Sequence, residues 1–491
     1  MSKKFVCALM SSMSASNVVG SRPHTETGWG MFRGGPYRDG STLNWGPTHN
    51  GTAWRFLLKG RALAAPSVHP DGSMIYVGGH DGFYGVNADG TFGFFTRIAS
   101  GVVNCAAAVC VKHNVVVVGG QDGVVYGFHA RTGVEVWRVQ TGKQQNGKPA
   151  YIFSSPVLDD RSIAYIGAAD GKLYAVAVDP AATPRVHWTF DARGEPIWSS
   201  PALSGDQTMV YVGGVDNFVH AVDAVRGTKV WEFEAGGFPD DPDDPDVDSS
   251  PAVSRSDGTV YVGSFDNRLH ALDGATGRAK WSYETRDDVI SSPAVSRDGK
   301  HVFVSSLSGG VHCVDASKGS RVWSTNLGQP IYDEAVLDGK GTLYVGADDG
   351  KLYALDAASG RTQWVHDVGD KVRGEPAVAN GRVYVSTIND DDFLHAIGTT
   401  QPAAAPVRKG GGKKSGSDKG DSGDVVPIVF AALGFLVLVL AGASVAVPAM
   451  RNRAAATRWA RMMNSDDDAA PDGSSAGPFV ELQDAAMREV I

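Results

Sequence analysis

Cysteine is scarce in this sequence: four occur in 491 residues, at positions 7, 105, 110 and 313. No two of them form a C-x-x-C pair. Cys105 and Cys110 fall in one predicted strand, where a rise of about 3.3 Å per residue separates them by about 16 Å. That distance excludes a disulfide between them unless the strand bends. We interpret the cysteines as small buried hydrophobes, which leaves the redox compartment open.

Positive charge is also in short supply, since 45 Lys and Arg face 54 Asp and Glu for a net charge of −9. A protein that binds nucleic acid regardless of sequence needs a basic surface, so this balance argues against nucleic acid as a partner. The charged content of 20% is too low for a long coiled coil. The hydrophobic content of 42% excludes a wholly disordered chain.

Glycine, by contrast, is abundant, with 61 residues and no G-X-Y period. This excess predicts many tight turns and hence an all-β protein. Residues 199–231, 249–281 and 333–364 are versions of one repeated unit. Each unit contains four apolar segments, with Asp-Gly or Asp-Asn between the second and the third. Such dipeptides allow the positive φ of a tight hairpin turn, so each unit is predicted to be a four-stranded sheet.

A column of aromatic residues in the fourth segments counts the units. It consists of Trp137, Trp188, Trp231, Trp281, Trp323 and Trp364, with Phe94 and Trp54 in the two preceding slots. The last unit, 374–398, has only three segments, and the leading segment 51–58 stands alone. We therefore predict an all-β, eight-bladed β-propeller whose N-terminal strand completes the last blade, because closure removes exposed sheet edges.

The turn between the third and fourth segments carries a recognisable motif. Ala271, Asp273, Thr276, Gly277 and Trp281 spell A-x-D-x-x-T-G-x-x-x-W. This pattern resembles the quinoprotein-type, pyrroloquinoline quinone (PQQ)-like propeller repeat, and the opening W-G-M-F-R-G-G-P-Y-R-D-G at 29–40 is similar to the start of many members. The resemblance covers roughly residues 29–400. It implies that each Trp packs between blades against the small first residue and the Gly peptide of a neighbouring repeat.

Two subgroups of the family imply different functions. Quinoprotein dehydrogenases bind PQQ and Ca²⁺, with an adjacent pair of cysteines above the cofactor and large insertions; this chain has neither. Scaffold propellers, such as the propeller lipoprotein of the bacterial outer-membrane barrel-assembly machinery, bind partners without chemistry, although Cys7 here lacks a lipoprotein box. We expect a non-catalytic scaffold with a protein or peptide partner and no cofactor. The alternatives are a PQQ- and Ca²⁺-dependent dehydrogenase and a single-pass sensor.

The ends of the chain differ from the repeats. Residues 1–21 resemble a signal peptide or a disordered start, and 22–400 form the propeller. A Gly, Ser and Lys linker is predicted at 401–424, and a short, mostly disordered tail at 448–491. Between them, 425–447 is uncharged. As a helix it would span about 34 Å, enough to cross a membrane core of about 30 Å.

The charges that flank this predicted span give a slight preference for its orientation. Four arginines follow it and three lysines precede it within about 15 residues. Together with the signal-like start, this predicts a cytoplasmic C-terminus and a propeller on the luminal, extracellular or periplasmic side.

Four histidines occupy one column of the repeat: His220, His270, His312 and His395. Other units place tyrosine in the same slot, at Tyr84, Tyr126, Tyr174 and Tyr353. Third strands lie away from the propeller axis, so these histidines are predicted to pack in separate blades rather than to hold a metal.

Polar residues gather where the first strands begin, near the predicted axis. They are Asn104, Glu195, Trp198, Asp288, Asp333, Glu334, Arg373 and Glu375. Paired acids can perform acid–base catalysis, but such residues more often solvate a propeller channel. No catalytic residue is assigned, and the set is a candidate ligand or partner site.

Acidic loops are expected on the same face, which carries the second-to-third turns and the links between blades. They contain Asp240, Asp241, Asp243 and Asp244 in one loop and Asp390, Asp391 and Asp392 in another. The first loop lacks the Gly and terminal Glu of a calcium loop, so we predict no metal there. The insertion 140–153 lies on this face as well. Because loops on a rigid scaffold usually carry binding, we predict that this face holds the partner site.

Overall fold

The computed structural model describes residues 29–398, except 60, 61, 63, 100, 184, 237–246, 286–288 and 389–392. The predicted signal segment, linker, membrane span and tail lie outside these residues. Within the described ranges, no helix is long and apolar enough to cross a membrane.

Thirty-two strands build the described chain, beginning with β1 (Thr52–Leu57). Blade 1 contains β2 (Ser67–Val68), β3 (Met74–Gly78), β4 (Phe83–Asn87) and β5 (Phe92–Thr96). Blade 2 contains β6 (Ala108–Cys110), β7 (Val115–Gly119), β8 (Val124–His129) and β9 (Glu135–Gln140). Blade 3 contains β10 (Val157–Leu158), β11 (Ile163–Gly167), β12 (Lys172–Ala177) and β13 (Val186–Asp191). Blade 4 contains β14 (Ala202–Leu203), β15 (Met209–Gly213), β16 (Phe218–Asp223) and β17 (Lys229–Glu234).

The second half repeats the pattern. Blade 5 contains β18 (Ala252–Val253), β19 (Thr259–Ser264), β20 (Arg268–Asp273) and β21 (Ala279–Glu284). Blade 6 contains β22 (Ala294–Val295), β23 (His301–Ser305), β24 (Gly310–Asp315) and β25 (Arg321–Asn326). Blade 7 contains β26 (Val336–Leu337), β27 (Thr342–Gly346), β28 (Lys351–Asp356) and β29 (Thr362–Asp367). Blade 8 contains β30 (Ala377–Ala379), β31 (Arg382–Ser386) and β32 (Phe393–Gly398). All neighbouring strands within a blade are antiparallel.

The first strand closes the ring, as predicted. β1 pairs antiparallel with β32, so the last sheet has the order β1-β32-β31-β30. Trp54 lies opposite Ala396, and its ring centroid is 5.8 Å from that of Tyr384 in the same blade. The prediction of an all-β, eight-bladed propeller closed by its N-terminal strand is confirmed for the described residues.

The tryptophan column joins neighbouring blades, as the resemblance implied. The indole N–H groups donate to backbone carbonyls of the next blade over 2.9–3.3 Å, in the pairs Trp54–Ala88, Trp137–Val178, Trp188–Ala224, Trp231–Gly274, Trp281–Ala316 and Trp323–Ala357. Trp364 packs on Tyr344, with 5.8 Å between ring centroids. Each ring also lies opposite a small residue of its own sheet, as Trp231 does opposite Ala221. A tryptophan therefore packs within one blade and hydrogen-bonds to the next.

Gly277 illustrates why the motif requires glycine. Its φ is +74°, and a Cβ there would lie 2.7 Å from the ring of Trp231. Alanine at this position is expected to lower the free energy of unfolding by about 2–4 kcal/mol, from the left-handed backbone and the clash together. Urea unfolding measures this loss. Gly258 in the same blade is the matched control, because its φ is +69° and no atom lies within 4 Å of its Cβ position. Gly258→Ala should lower the free energy of unfolding by only about 1–2 kcal/mol. Equal losses in the two variants would show that contact with the Trp231 ring does not matter.

The segment before β1 follows the inner strands around the axis. Backbone carbonyls of Trp29, Gly30, Pro36, Tyr37, Asp39 and Gly40 accept hydrogen bonds of 2.7–2.8 Å from the inner strands of blades 1, 2, 4, 5, 6 and 7 in turn. In blade 3 the acceptor is the Met31 sulfur, 3.4 Å from Leu158 N. The segment thus covers the inner edges of seven blades and lies across the axis.

Two fully buried arginines fasten this segment. Arg38 donates to the carbonyls of Phe32, Pro201, Ser155 and Pro156 over 2.6–3.0 Å. Arg33 donates to the carbonyls of Arg38, Ser292 and Pro293. Both arginines have a positive φ, +53° and +56°. Their guanidinium groups connect the segment to the first strands of blades 3, 4 and 6.

The described cysteines, Cys105, Cys110 and Cys313, are buried and free, in agreement with the sequence interpretation. Cys105 also replaces a serine of other repeats. Its sulfur accepts from Gly119 N at 3.1 Å, as the Ser199 hydroxyl accepts from Gly213 N at 2.8 Å.

Candidate functional site

An axial collar is formed by the residue that precedes the proline or alanine at the start of each inner strand. Its members are Ala65, Ala106, Ser155, Ser200, Ser250, Ser292, Glu334 and Glu375. Backbone N–H groups of one blade donate to the collar hydroxyl of the next, as Ser155 N does to Ser200 Oγ and Ser200 N to Ser250 Oγ, both at 2.9 Å. The side chains of the collar differ from one part of the ring to another. Blades 1 and 2 contribute methyl groups, blades 3–6 contribute hydroxyls, and blades 7 and 8 contribute carboxyls.

The collar surrounds an axial cavity of about 180 Å³. Its lining consists of Phe32, Ala65, Asn104, Ala106, Phe153, Ser155, Trp198, Ser200, Asp248, Ser250, Asp333, Glu334, Arg373 and Glu375. Phe32 belongs to the segment that crosses the axis. The cavity therefore opens toward the loop face and has the N-terminal segment beneath it.

Six of the eight predicted axial residues line this cavity: Asn104, Trp198, Asp333, Glu334, Arg373 and Glu375. Glu195 does not, because it lies half-buried in the turn after β13, where its N–H donates to Ala192 O at 3.1 Å. Asp288 lies outside the described residues. That these side chains contact a ligand or partner stays a prediction.

Two buried carboxyl groups in the cavity wall, Asp333 and Glu375, have raised pKa values. Burial raises the pKa of Asp333 well above the ordinary value, and the charges of Glu334 and Glu375 raise it further. Burial also raises the pKa of Glu375 well above normal, against the opposing charge of Arg33, whose Nε lies 4.0 Å from Glu375 Oε1. Glu334 accepts a hydrogen bond from Ser292 Oγ at 2.8 Å. The acids thus gather in a desolvated corner where a bound cation would favour their ionised forms.

The arginine of the cavity is already engaged. Arg373 donates to Asp348 from Nε at 2.8 Å and from Nη2 at 2.5 Å. Its guanidinium carbon lies 4.2 Å from the centroid of the Tyr332 ring. This bidentate and stacked arrangement holds the side chain in place and directs its charge toward Asp348.

Several acceptors in the cavity wall have no donor among the described residues. Asn104 Oδ1 and Asp333 Oδ2 are buried without a hydrogen-bond partner. No side chain in the described ranges donates to either carboxylate oxygen of Glu375. An unmet buried acceptor costs about 1–3 kcal/mol. The cavity is therefore suited to a molecule that brings N–H or O–H groups.

Sequence reasoning missed the underside of the cavity. Phe32, Arg33 and Arg38 belong to the opening segment, which was noted only for its family resemblance. The signal available was two arginines in a short stretch rich in glycine and aromatics. Phe153 and Asp248 were assigned to loops of the same face and not to the axial set, although each directly precedes the Ser-Ser-Pro sequence of its repeat.

The histidine column lies on third strands of separate blades, as predicted. His220 Nε2 lies 2.8 Å from Asp216 Oδ2 in the preceding turn, and the Tyr174 hydroxyl donates to Asp170 at 2.5 Å in the same way. His312 instead lies 3.0 Å from the Tyr283 hydroxyl, and burial lowers its pKa to about 4. In the described part of the chain, no group of three or more His, Cys, Asp or Glu is placed to hold a metal.

Only part of the predicted partner face can be located. Asp240, Asp241, Asp243, Asp244 and Asp390–Asp392 lie outside the described residues. The insertion 140–153 lies beside the second-to-third turns, since Thr141 N donates to Gly123 O at 2.9 Å and Gly142 N to Asp170 Oδ2 at 2.9 Å. The insertion thus lies on the face toward which the cavity opens.

Solved structures share this architecture. BamB from Moraxella catarrhalis is 18% identical, with a TM-score of 0.58 over 72% of this chain and 100% of that chain. A europium-containing methanol dehydrogenase is 14% identical, with a TM-score of 0.63 over 75% and 90% of the two chains. A quinohemoprotein alcohol dehydrogenase from Pseudomonas putida HK5 is 14% identical, with a TM-score of 0.64 over 80% and 82%. At these identities the likeness establishes the fold alone.

No curated protein matches the chain. A family model described as outer membrane protein assembly factor BamB matches residues 43–182, 176–339 and 308–401. These matches span most of the chain and all of blades 1–8. The protein therefore belongs to this BamB-like family of PQQ-like β-propeller repeats.

Proposed function

We propose that this protein is a non-catalytic, membrane-tethered scaffold that binds a protein or peptide partner on its loop face, around the axial cavity. The observation that carries the proposal is the cavity itself. The chain's own N-terminal segment lies beneath it, and its wall contains buried acceptors that no described side chain donates to. A partner that reaches the mouth of the cavity would meet a rigid collar with loops around it.

The alternative, a quinoprotein dehydrogenase, requires PQQ and Ca²⁺ at the axis. The residues present do not fit the quinone. PQQ is a fused tricyclic molecule with three carboxylates, whereas the cavity measures about 180 Å³ and pockets for such ligands measure about 300–1,000 Å³. No cofactor is therefore part of the proposal.

The tether and the location rest on sequence. The uncharged segment 425–447 would anchor the protein in a membrane, and the flanking charges favour a cytoplasmic C-terminus. The propeller would then face the lumen, the periplasm or the outside of the cell, within reach of partners at the same membrane through the linker 401–424.

Site-specific photo-cross-linking in native membranes tests the scaffold function. A benzophenone amino acid at Asn146, exposed in the insertion on the loop face, is expected to form a discrete adduct with the partner. The same amino acid at Asp298, exposed in a first-to-second turn on the opposite face, is the control and should form none. Adducts only from Asp298, or from neither position, would refute binding on the loop face.

A further inference from the structure

We propose that the axial cavity binds one primary ammonium group carried on a short alkyl chain. The lysine side chain of a partner peptide and a free alkylamine share this chemistry. Binding of a partner's lysine rests on the proposed scaffold function, whereas binding of a free alkylamine does not.

The balance of charge around the cavity favours a cation. Four carboxyl residues line it, and Asp348 lies directly behind Arg373. Three guanidinium groups face these five carboxyls. Arg373 is paired with Asp348, and Arg33 and Arg38 direct most of their N–H groups to backbone carbonyls. The cavity is therefore short of positive charge once its carboxyls ionise.

The hydrogen-bonding groups agree with the charge. Three groups in the wall offer acceptor atoms to which no described side chain donates: Asn104 Oδ1, Asp333 Oδ2 and the carboxylate oxygens of Glu375. Asp333 is 5% exposed and Glu375 is 2% exposed. An ammonium group has three donors and no acceptor, so it can satisfy these atoms without introducing an unmet acceptor of its own.

The opposite wall suits an alkyl chain. Phe153 and Trp198 pack edge to face there, with ring centroids 6.4 Å apart. Phe32 and the methyl groups of Ala65 and Ala106 add apolar surface elsewhere in the lining. Aromatic faces also attract ammonium groups. A volume of about 180 Å³, below the range of drug-sized pockets, matches a single extended side chain. Lysine fits better than arginine, because its charge is compact and its donors rotate freely.

Calorimetric titration of the full chain in detergent tests this site. The probes are n-butylammonium with n-butanol as its neutral counterpart, and an acetyl-Gly-Lys-Gly-amide peptide with its Nε-acetyl-lysine analogue. We expect the ammonium compounds to bind one per chain and the neutral ones not to bind. Asp333→Asn and Glu375→Gln, which preserve shape, should each weaken binding by about 30-fold or more. Asp298→Asn, which removes an exposed carboxyl on the opposite face, should leave binding unchanged.

The affinity should rise as the pH rises through the raised pKa values of Asp333 and Glu375. Because the pKa values of Asp333 and Glu375 are raised, both carboxyl groups are protonated at the lower pH. An ammonium ion must then displace these protons in order to bind. The groups that face them are Glu334, Asp348, Arg33, Arg38 and Arg373. The alkylammonium stays charged throughout, with a pKa of about 10.4 for lysine.

Three results would overturn the cation site: no binding of n-butylammonium, equal binding of n-butanol, or displacement of the amine by equimolar Ca²⁺. Unchanged affinity in both folded variants would also refute it. Suppose that the Asn146 adduct persists in Asp333→Asn while n-butylammonium does not bind the wild-type protein. This result would support the scaffold function and refute the cation site. If n-butylammonium binds but Asn146 forms no adduct, the scaffold function is refuted, and the cation site is supported as a site for a free amine.

Discussion

Replacing Arg38 by methionine is expected to lower the free energy of unfolding by about 4 kcal/mol. Arg38 is completely buried beneath the cavity, where burial lowers its pKa to about 9. Its N–H groups reach four backbone carbonyls on the opening segment and on blades 3 and 4. Methionine fills a similar space but leaves those acceptors without their donors. Urea unfolding followed by tryptophan fluorescence measures the loss.

Two variants show whether the arrangement of donors matters. Arg38→Lys keeps a positive charge but lacks the planar fork that spans two blades, so it should not restore the stability. Arg226→Met removes an exposed arginine that pairs with the neighbouring Asp223, and should change stability by less than about 1 kcal/mol. Wild-type stability in Arg38→Met would show that the segment does not fasten the blades.

Replacing Trp54 by alanine is expected to lower the free energy of unfolding by about 3 kcal/mol or more. The side chain packs on Tyr384 of blade 8 and donates to Ala88 O of blade 1 at 3.1 Å. Gly90 of blade 1 lies close against its ring. The variant therefore loses the contact through which the closing strand joins the first and last blades.

Trp45 provides the matched control for this substitution. It lies in the same N-terminal region but is 57% exposed, with Lys340 5.3 Å above its ring. Trp45→Ala should lose less than about 1 kcal/mol. Limited proteolysis should also cleave blade 8 faster in Trp54→Ala than in wild type, because the ring opens there. Equal unfolding midpoints for the two variants would contradict the closure.

The blade count and the closure were predictable because they follow from a repeated pattern. Each fourth segment presents an aromatic residue to the same interblade position, so the column can be counted from sequence. The lone N-terminal strand and the three-stranded last unit then complete each other as one four-stranded blade. The structure shows this pairing, with Trp54 opposite Ala396. These features need only strand periodicity and the requirement to pair edges.

The underside of the cavity was not predictable, because nothing in residues 29–40 repeats. The segment contacts seven blades through backbone carbonyls and one sulfur, and such contacts leave little trace in side-chain patterns. Glu195 does not line the cavity for a related reason. The cavity-lining residues that precede an inner strand lie within two residues of the collar position, whereas Glu195 lies three residues before Trp198 in a turn. The pairing of Arg373 with Asp348 joins two blades and could not be read from spacing.

The measurement that most directly tests the central claim, that this axis serves binding rather than quinone chemistry, is titration of the full chain with PQQ and CaCl₂. After removal of free cofactor, we expect no retained quinone absorbance and no alcohol-driven dye reduction, because the cavity, at about 180 Å³, is too small for the quinone. Retained quinone, with turnover that Glu375→Ala abolishes, would contradict it.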